Sequence, residues 1–308
     1  MATSTETATN GTTTTTTTKT TAAALPSPAS LRASLARDGF VHIPSLLPAS
    51  ALEPLRAACQ RLTARARAGN WPYIRTLPKQ FPPWPSDPSA GIWGVQHLLH
   101  PSNPDAPLFA ASYFGDAVMG VCKALLDCAD EDLVMELYNL LVRPDRDFEL
   151  RWHRDDISAE ATPDEERERL DRPAMHAQWN LALYEDRSLV VVPGSQARAR
   201  TDEERAARPD GGCGDAAGDC VFYNNNILHR GVYDAGVERM TLHGSVGLVS
   251  GSRDRARNVL QHGIGGWVGE CDFAGLEEAT RKRAEGMRER LVRMGSDAGD
   301  VGFFSKDE

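Results

Sequence analysis

Two segments of this 308-residue chain carry residue types that could assemble a metal centre. In Arg151-Trp152-His153-Arg154-Asp155-Asp156 an imidazole and a carboxylate stand two positions apart. On an extended chain alternate side chains share a face, so His153 and Asp155 project together while Asp156 points away, as a solvated or capping residue. One further histidine would complete a 2-His-1-carboxylate set, which leaves three positions of an octahedral divalent metal open to reactants. Eight histidines and 43 acidic residues yield about one His-x-acid pair by chance, so this pair gains weight only if other parts of the chain agree with it. Downstream, Gly218-Asp219 introduces Cys220-Val221-Phe222-Tyr223, and Ile227-Leu228-His229-Arg230-Gly231 then supplies a second histidine. Asp234-Ala235-Gly236 is a turn signal. A hairpin closed there sets Tyr233 opposite Val237 and His229 opposite Thr241. Arg239 then shares the face of His229, where its guanidinium could grip a carboxylate whose other end meets the metal. A register slipped by one residue would turn Arg239 away.

Such a site needs rigid elements to hold it. Short to medium strand-like runs punctuated by Pro, Gly, Asn and Asp lie at 135–142, 178–184, 189–192, 220–223, 227–233 and 237–249. Before them, Ser30 can cap a helix carrying Leu31 and Leu35 that Gly39 ends, and Phe40-Val41-His42-Ile43 reads as a strand. Leu52, Leu55, Cys59 and Leu62 form a helical stripe within 50–68, and 115–129 also reads as helix. Residues 71–88, dense in Pro and aromatics, predict an irregular packed loop, and 158–171 an exposed loop or short helix. Leu276, Met287, Leu291 and Met294 place a last helix over 276–294, with that stripe packed on the core. Helices followed by many strands predict a mainly β fold, a sandwich or barrel with helical decoration.

Composition bounds the partners. A net charge of −9 and a pI near 5.4 make a poor partner for phosphate backbones or anionic membranes. No unbroken apolar run approaches the roughly 18 residues of a membrane-spanning helix. Neither a secretory h-region nor an arginine-rich transit segment is present, so the expectation is a cytoplasmic enzyme acting on a small molecule. Thirteen of the first 24 residues are Thr and none is Leu, Ile, Val or Phe, which predicts a disordered tail before one domain over 25–308. The six cysteines form no C-x-x-C pair and are expected to be reduced bystanders.

His153-x-Asp155, Gln178-Trp179-Asn180-Leu181, Leu189-Val190-Val191-Val192-Pro193-Gly194-Ser195, Gly218-Asp219, His229-Arg230-Gly231 and Arg239 together resemble the phytanoyl-CoA dioxygenase family, over about residues 30–250. These are Fe(II)- and 2-oxoglutarate-dependent oxygenases. The resemblance implies a double-stranded β-helix (jelly-roll) with N-terminal and C-terminal helices. It implies Fe(2+) held by His153, Asp155 and His229, with Arg239 on the distal carboxylate of 2-oxoglutarate, O2 as the other cosubstrate, and release of succinate and CO2. Trp179 matches a position lining the cosubstrate pocket, and Asn139, on one face with Leu137 and Leu141, is a further candidate contact; a core aromatic and a satisfied core amide are equal alternatives for these two. The retained Asp155 points to oxygenation, since related halogenases place a small residue there to admit halide. Three features depart from the pattern: Gly231 replaces a small hydroxyl residue, Gln196 replaces a histidine after Pro193-Gly194-Ser195, and no basic cosubstrate contact stands near Val95-Gln96.

Two other readings of the same residues exist: a zinc or manganese hydrolase or isomerase, and a non-catalytic metal-binding jelly-roll. Arg239 as a carboxylate anchor speaks against the first and the intact ligand set against the second. Gly212-Cys213-Gly214-Asp215-Ala216-Ala217 fits a dinucleotide-binding glycine pattern, but no strand precedes it. The remaining six histidines lack ligand-like spacing to an acid and read as packing or surface residues.

Overall fold

Short β-branched and aromatic runs, most of them buried on both faces, pair into two antiparallel sheets. The computed structural model describes residues 25–206 and 214–296; the Thr-rich segment 1–24 and Cys213 lie outside them. In chain order the elements are α1 (Pro28–Asp38), β1 (Phe40–Ile43), α2 (Ala49–Arg67), β2 (Ile74–Thr76), β3 (Ile92–Val95), α3 (Ala106–Phe114), α4 (Asp116–Leu126) and β4 (Leu133–Val142). There follow β5 (Phe148–Glu149), α5 (Pro163–Leu170), β6 (His176–Ala182), β7 (Leu189–Val191), α6 (Asp202–Ala206), β8 (Cys220–Tyr223), β9 (His229–Tyr233), β10 (Met240–Leu248), α7 (Arg253–Gln261) and α8 (Glu278–Ser296). The major sheet has the order β1-β8-β6-β10-β4-β3-β2 and the minor sheet β5-β9-β7. The fold is the expected jelly-roll.

Alternation along the strands separates core from site. On β6, Trp179 and Leu181 join the main apolar core with Phe109, Tyr113 and Phe114 of α3 and Met287 and Leu291 of α8. Gln178 and Asn180, one position out of phase, face the space between the sheets. Capping follows local chemistry. Ser27, not Ser30, caps α1, because Pro28 supplies the first helical position; Gly39 closes it at φ +83. Thr162 and Glu165 form a reciprocal capping box on α5, so the 158–171 insert is partly helical.

Three further expectations are corrected. The predicted hairpin does not form: β9 pairs with β5 and β7, whereas β10 pairs with β4 and β6, so residues 234–239 cross from one sheet to the other. The nine-residue β10 finds full-length partners there that the five-residue β9 could not offer. The expected irregular loop over 71–88 contains β2, which with β3 extends the major sheet; strands of three and four residues with almost no exposed position show no alternation to read. Finally, Ala106–Leu126 is long and apolar enough to cross a membrane, although Ser112, Asp116 and Lys123 interrupt its apolar run. Here it forms two helices interrupted at Gly115, with Phe109, Tyr113, Met119 and Val121 buried in the core.

Candidate metal centre

The segment around His153 is extended and bridges the minor sheet. His153 N–H donates to the His229 carbonyl at 3.0 Å, and His229 N–H returns a bond to the His153 carbonyl at 3.1 Å. Asp155 N–H donates to Asn225 O at 3.0 Å. This places the three predicted ligands together: one ligand atom from each of His153, Asp155 and His229 lies within 4.8 Å of the others. Both rings are oriented alike. His153 Nδ1 lies 2.9 Å from Arg151 O and His229 Nδ1 2.9 Å from Ile227 O. A carbonyl only accepts, so a proton on each Nδ1 satisfies these contacts and turns each Nε2 toward Asp155; Gln80 Nε2 also lies 3.2 Å from His153 Nδ1. Those Nε2 atoms stand 3.5 and 3.7 Å from Asp155 Oδ1, while Gln178 Nε2 donates to Oδ2 at 2.8 Å.

Electrostatics suit cation binding. Burial, with His229 beside it, pushes His153 down to about 4, so its ring is neutral at physiological pH. Burial pushes the Asp155 carboxyl up, but His229, His153 and the Gln178 amide outweigh it and hold it below the ordinary range. Two imidazoles and one carboxylate fit a divalent ion with open positions. Asp156 is not the solvated residue expected: it lies beside the centre, bonded to Arg169 at 2.7 Å and Asn225 at 2.5 Å.

The triad opens into a cavity of about 680 Å³ between the sheets. Arg239 lines it, although the route is not the predicted hairpin but the entry to β10 from the opposite sheet. Its Nε donates to Asp186 Oδ2 at 3.1 Å, and Thr241 Oγ1 donates to the same oxygen at 2.5 Å. Its Nη1 is buried without a hydrogen-bond partner. Asn139 is buried beside this space, its amide oxygen accepting from Arg75 Nη2 at 3.1 Å. Of the two readings of Trp179 the core aromatic holds and the cosubstrate contact is corrected: it is fully buried on the other face of β6, against Tyr113, Tyr138 and Phe222, and the cavity is lined instead by Asn180.

Sequence reasoning missed several cavity residues. Arg75 of β2 extends over Gly94 of β3, where a Cβ would come within 2.9 Å of its Cδ. Its guanidinium sits against the indoles of Trp84 and Trp93, at 5.2 and 5.1 Å. Burial lowers it to about 10, so it stays charged, yet among the described residues it has no ion pair and its Nε is unpartnered. His243, read as a packing residue, lines the cavity beside Asn180, which its Nδ1 meets at 2.9 Å. Gln196 ties α1 down by donating to Ala36 O at 2.9 Å. On the side of the triad toward α7, the wall is a chain of alternating charges, Glu136–Arg255–Asp156–Arg169.

The family model for phytanoyl-CoA dioxygenase (PhyH) matches residues 35–232, a span that contains all three triad residues. The chain belongs to the phytanoyl-CoA dioxygenase family. Arg239 lies just beyond the matched span. Solved structures agree on the fold of this family member. AviO1 from Streptomyces viridochromogenes Tue57 superposes with a TM-score of 0.53 at 21% identity, over 73% of this chain and 96% of AviO1. EctD from S. alaskensis, solved with bound Fe, gives 0.53 at 18% identity over 73% and 79% of the two chains. SnoK, a non-heme alpha ketoglutarate dependent carbocyclase from nogalamycin biosynthesis, gives 0.53 at 19% identity over 74% and 86%. No curated protein matches the chain.

Proposed function

We propose that this protein is a non-haem Fe(II)- and 2-oxoglutarate-dependent oxygenase that oxidises a small molecule and releases succinate and CO2. One observation carries the reading: a metal-ready His153, Asp155 and His229 set shares its cavity with Arg239, whose Nη1 lacks a partner. Iron, when bound, would supply oxygen activation, and the chain's own residues do the rest. His153, Asp155 and His229 hold the ion on one side and leave the cavity side free. The Nδ1 bonds to Arg151 O and Ile227 O fix both rings, and Gln178 keeps Asp155 Oδ2 turned from the metal. Arg239, oriented by Asp186, offers its free N–H groups to the distal carboxylate of 2-oxoglutarate. Arg75 adds a second buried positive charge, which makes good the missing basic residue near Val95-Gln96. Asn139 contributes by holding Arg75, and Trp179 by supporting the sheet.

Family membership and the similarity to SnoK, a carbocyclase by its own description, support oxidation in general rather than hydroxylation alone. Residues 25–308 form one catalytic domain in this reading. The test is succinate release from 2-oxoglutarate by Fe(II)-loaded protein in air, with and without candidate substrates. The expected result is iron-dependent succinate that Asp155→Ala abolishes. Iron-independent succinate, or none with any substrate, would overturn the assignment.

A further inference from the structure

Gln196, which departs from the resembled pattern, lines the cavity and takes no part in the metal set. Its Nε2 donates to Ala36 O at 2.9 Å, while its Oε1 is buried without a hydrogen-bond partner. Asn226, buried on the same cavity, has an Oδ1 in the same condition. The framework of the metal centre draws the two together. Arg154, which stands between His153 and Asp155, donates from Nη1 to both Ser195 O and Asn226 O. Ser195 Oγ accepts from Leu228 N–H at 2.8 Å, and Asn225 O accepts from Asp155 N–H at 3.0 Å. Two unpartnered acceptors are thus fixed on a wall that continues into the ligand set.

A buried acceptor without a donor is costly, and a cavity occupant that donates would satisfy both. Charge narrows the occupant. With Arg75 and Arg239 given to 2-oxoglutarate, other charged side chains of the cavity are held in pairs: Asp156 with Arg169 and Arg255, and Arg230 with Glu149. An ionised group brought against them would lose its water and find no free counter-charge. Hydroxyl groups suit the wall, since each donates to a carboxamide oxygen and stays neutral. Phe81, T-shaped to His153 at 5.5 Å, and Trp84 add apolar surface for a C–H face. We propose that the substrate is an uncharged polyhydroxy compound, a sugar or cyclitol ring, and that Gln196 and Asn226 set this specificity by accepting from its hydroxyls. This rests on the oxygenase reading and names its substrate class. A cavity of about 680 Å³ has room for such a ring beside 2-oxoglutarate.

Anaerobic calorimetry of the protein loaded with Fe(II) and 2-oxoglutarate tests the proposal. The probes are methyl glycosides of glucose, galactose, mannose and xylose, and myo-inositol. Three controls accompany them: 2-methoxytetrahydropyran, which keeps the ring without its hydroxyls, the methyl glycoside of glucuronic acid, which adds a charge, and hexadecanoyl-CoA. At least one uncharged polyol should bind, and roughly tenfold tighter than either the hydroxyl-free ring or the glucuronide. Gln196→Met and Asn226→Ala should each weaken that polyol by roughly tenfold while 2-oxoglutarate affinity stays within about twofold. Circular dichroism identifies a variant that has lost its fold; the comparison of probes on the parent protein decides if both have. No binding by any polyol, tighter binding of the glucuronide or of hexadecanoyl-CoA, or polyol affinity unchanged in folded variants would overturn the inference. The iron–2-oxoglutarate charge-transfer band of the same samples reports the oxygenase reading separately. A band without polyol binding overturns this inference alone, and an absent band overturns both.

Discussion

At the scale of single residues, the metal set was legible because its spacing rule is local. His153 and Asp155 share a face of an extended segment whatever sheet that segment joins, and only His229 had to be found at a distance. What holds the set was hidden, since Gln178 meets Asp155 across 23 positions in sequence. Gln178→Leu would leave Oδ2 of Asp155 unheld, so cobalt(II) affinity, read from its visible ligand-field bands, should fall roughly 10–100-fold. An unchanged affinity would mean that Gln178 does not support the ligand set. Arg75 was invisible for a different reason. An arginine in a Pro-rich segment reads as surface, and only the pairing of β2 with β3 carries it over Gly94 into the cavity.

At the scale of elements, one position of phase separates core from site. The resemblance implies Trp179 facing the cosubstrate, with a core aromatic as the equal alternative; β6 takes the second, turning Gln178 and Asn180 inward and Trp179 into the helical core. Stability and ligand binding should therefore separate along this strand. Trp179→Phe should lower the thermal midpoint by a few degrees, as a smaller ring leaves a void, without altering 2-oxoglutarate affinity. Asn180→Leu should weaken that affinity at nearly parental stability. The reverse pattern would mean the phase is wrong. Gly244 of β10 lies directly against the Trp179 indole, so Gly244→Ala should cost about 1–3 kcal/mol in denaturant titration. The hairpin expectation failed at this scale too: turn chemistry at 234–236 is real, with Asp234 Oδ1 accepting from Gly236 N at 2.7 Å, but a turn does not say which sheet its flanks will join. Arg239 reached the predicted cavity by a crossing between sheets.

At the scale of the whole molecule, the jelly-roll keeps several imidazoles buried, three of them on the cavity wall. Burial pushes His97 and His153 down to about 4 and His243 and His262 to about 3. Each is neutral when folded and takes up a proton near pH 6.5 when unfolded, so their contribution is intact above that pH and is lost as pH falls toward 4. Metal-free protein should accordingly lose stability steeply around pH 5, by up to about 5 kcal/mol per pH unit if all four contribute. Urea midpoints measured from pH 7.5 to 4.5 would show this as a sharp decline, and a flat profile would contradict the burial of these rings. Fold class was readable because strand-like runs and turn signals recur after residue 133; sheet membership was not, because it depends on long-range pairing. Whether the triad and Arg239 hold iron and 2-oxoglutarate side by side can be read from one anaerobic titration of the Fe(II)-loaded protein with 2-oxoglutarate, monitored in the visible. A weak charge-transfer band should grow in, saturate with 2-oxoglutarate and be absent from Asp155→Ala protein. A parent protein that binds Fe(II) but shows no such band would contradict the assignment.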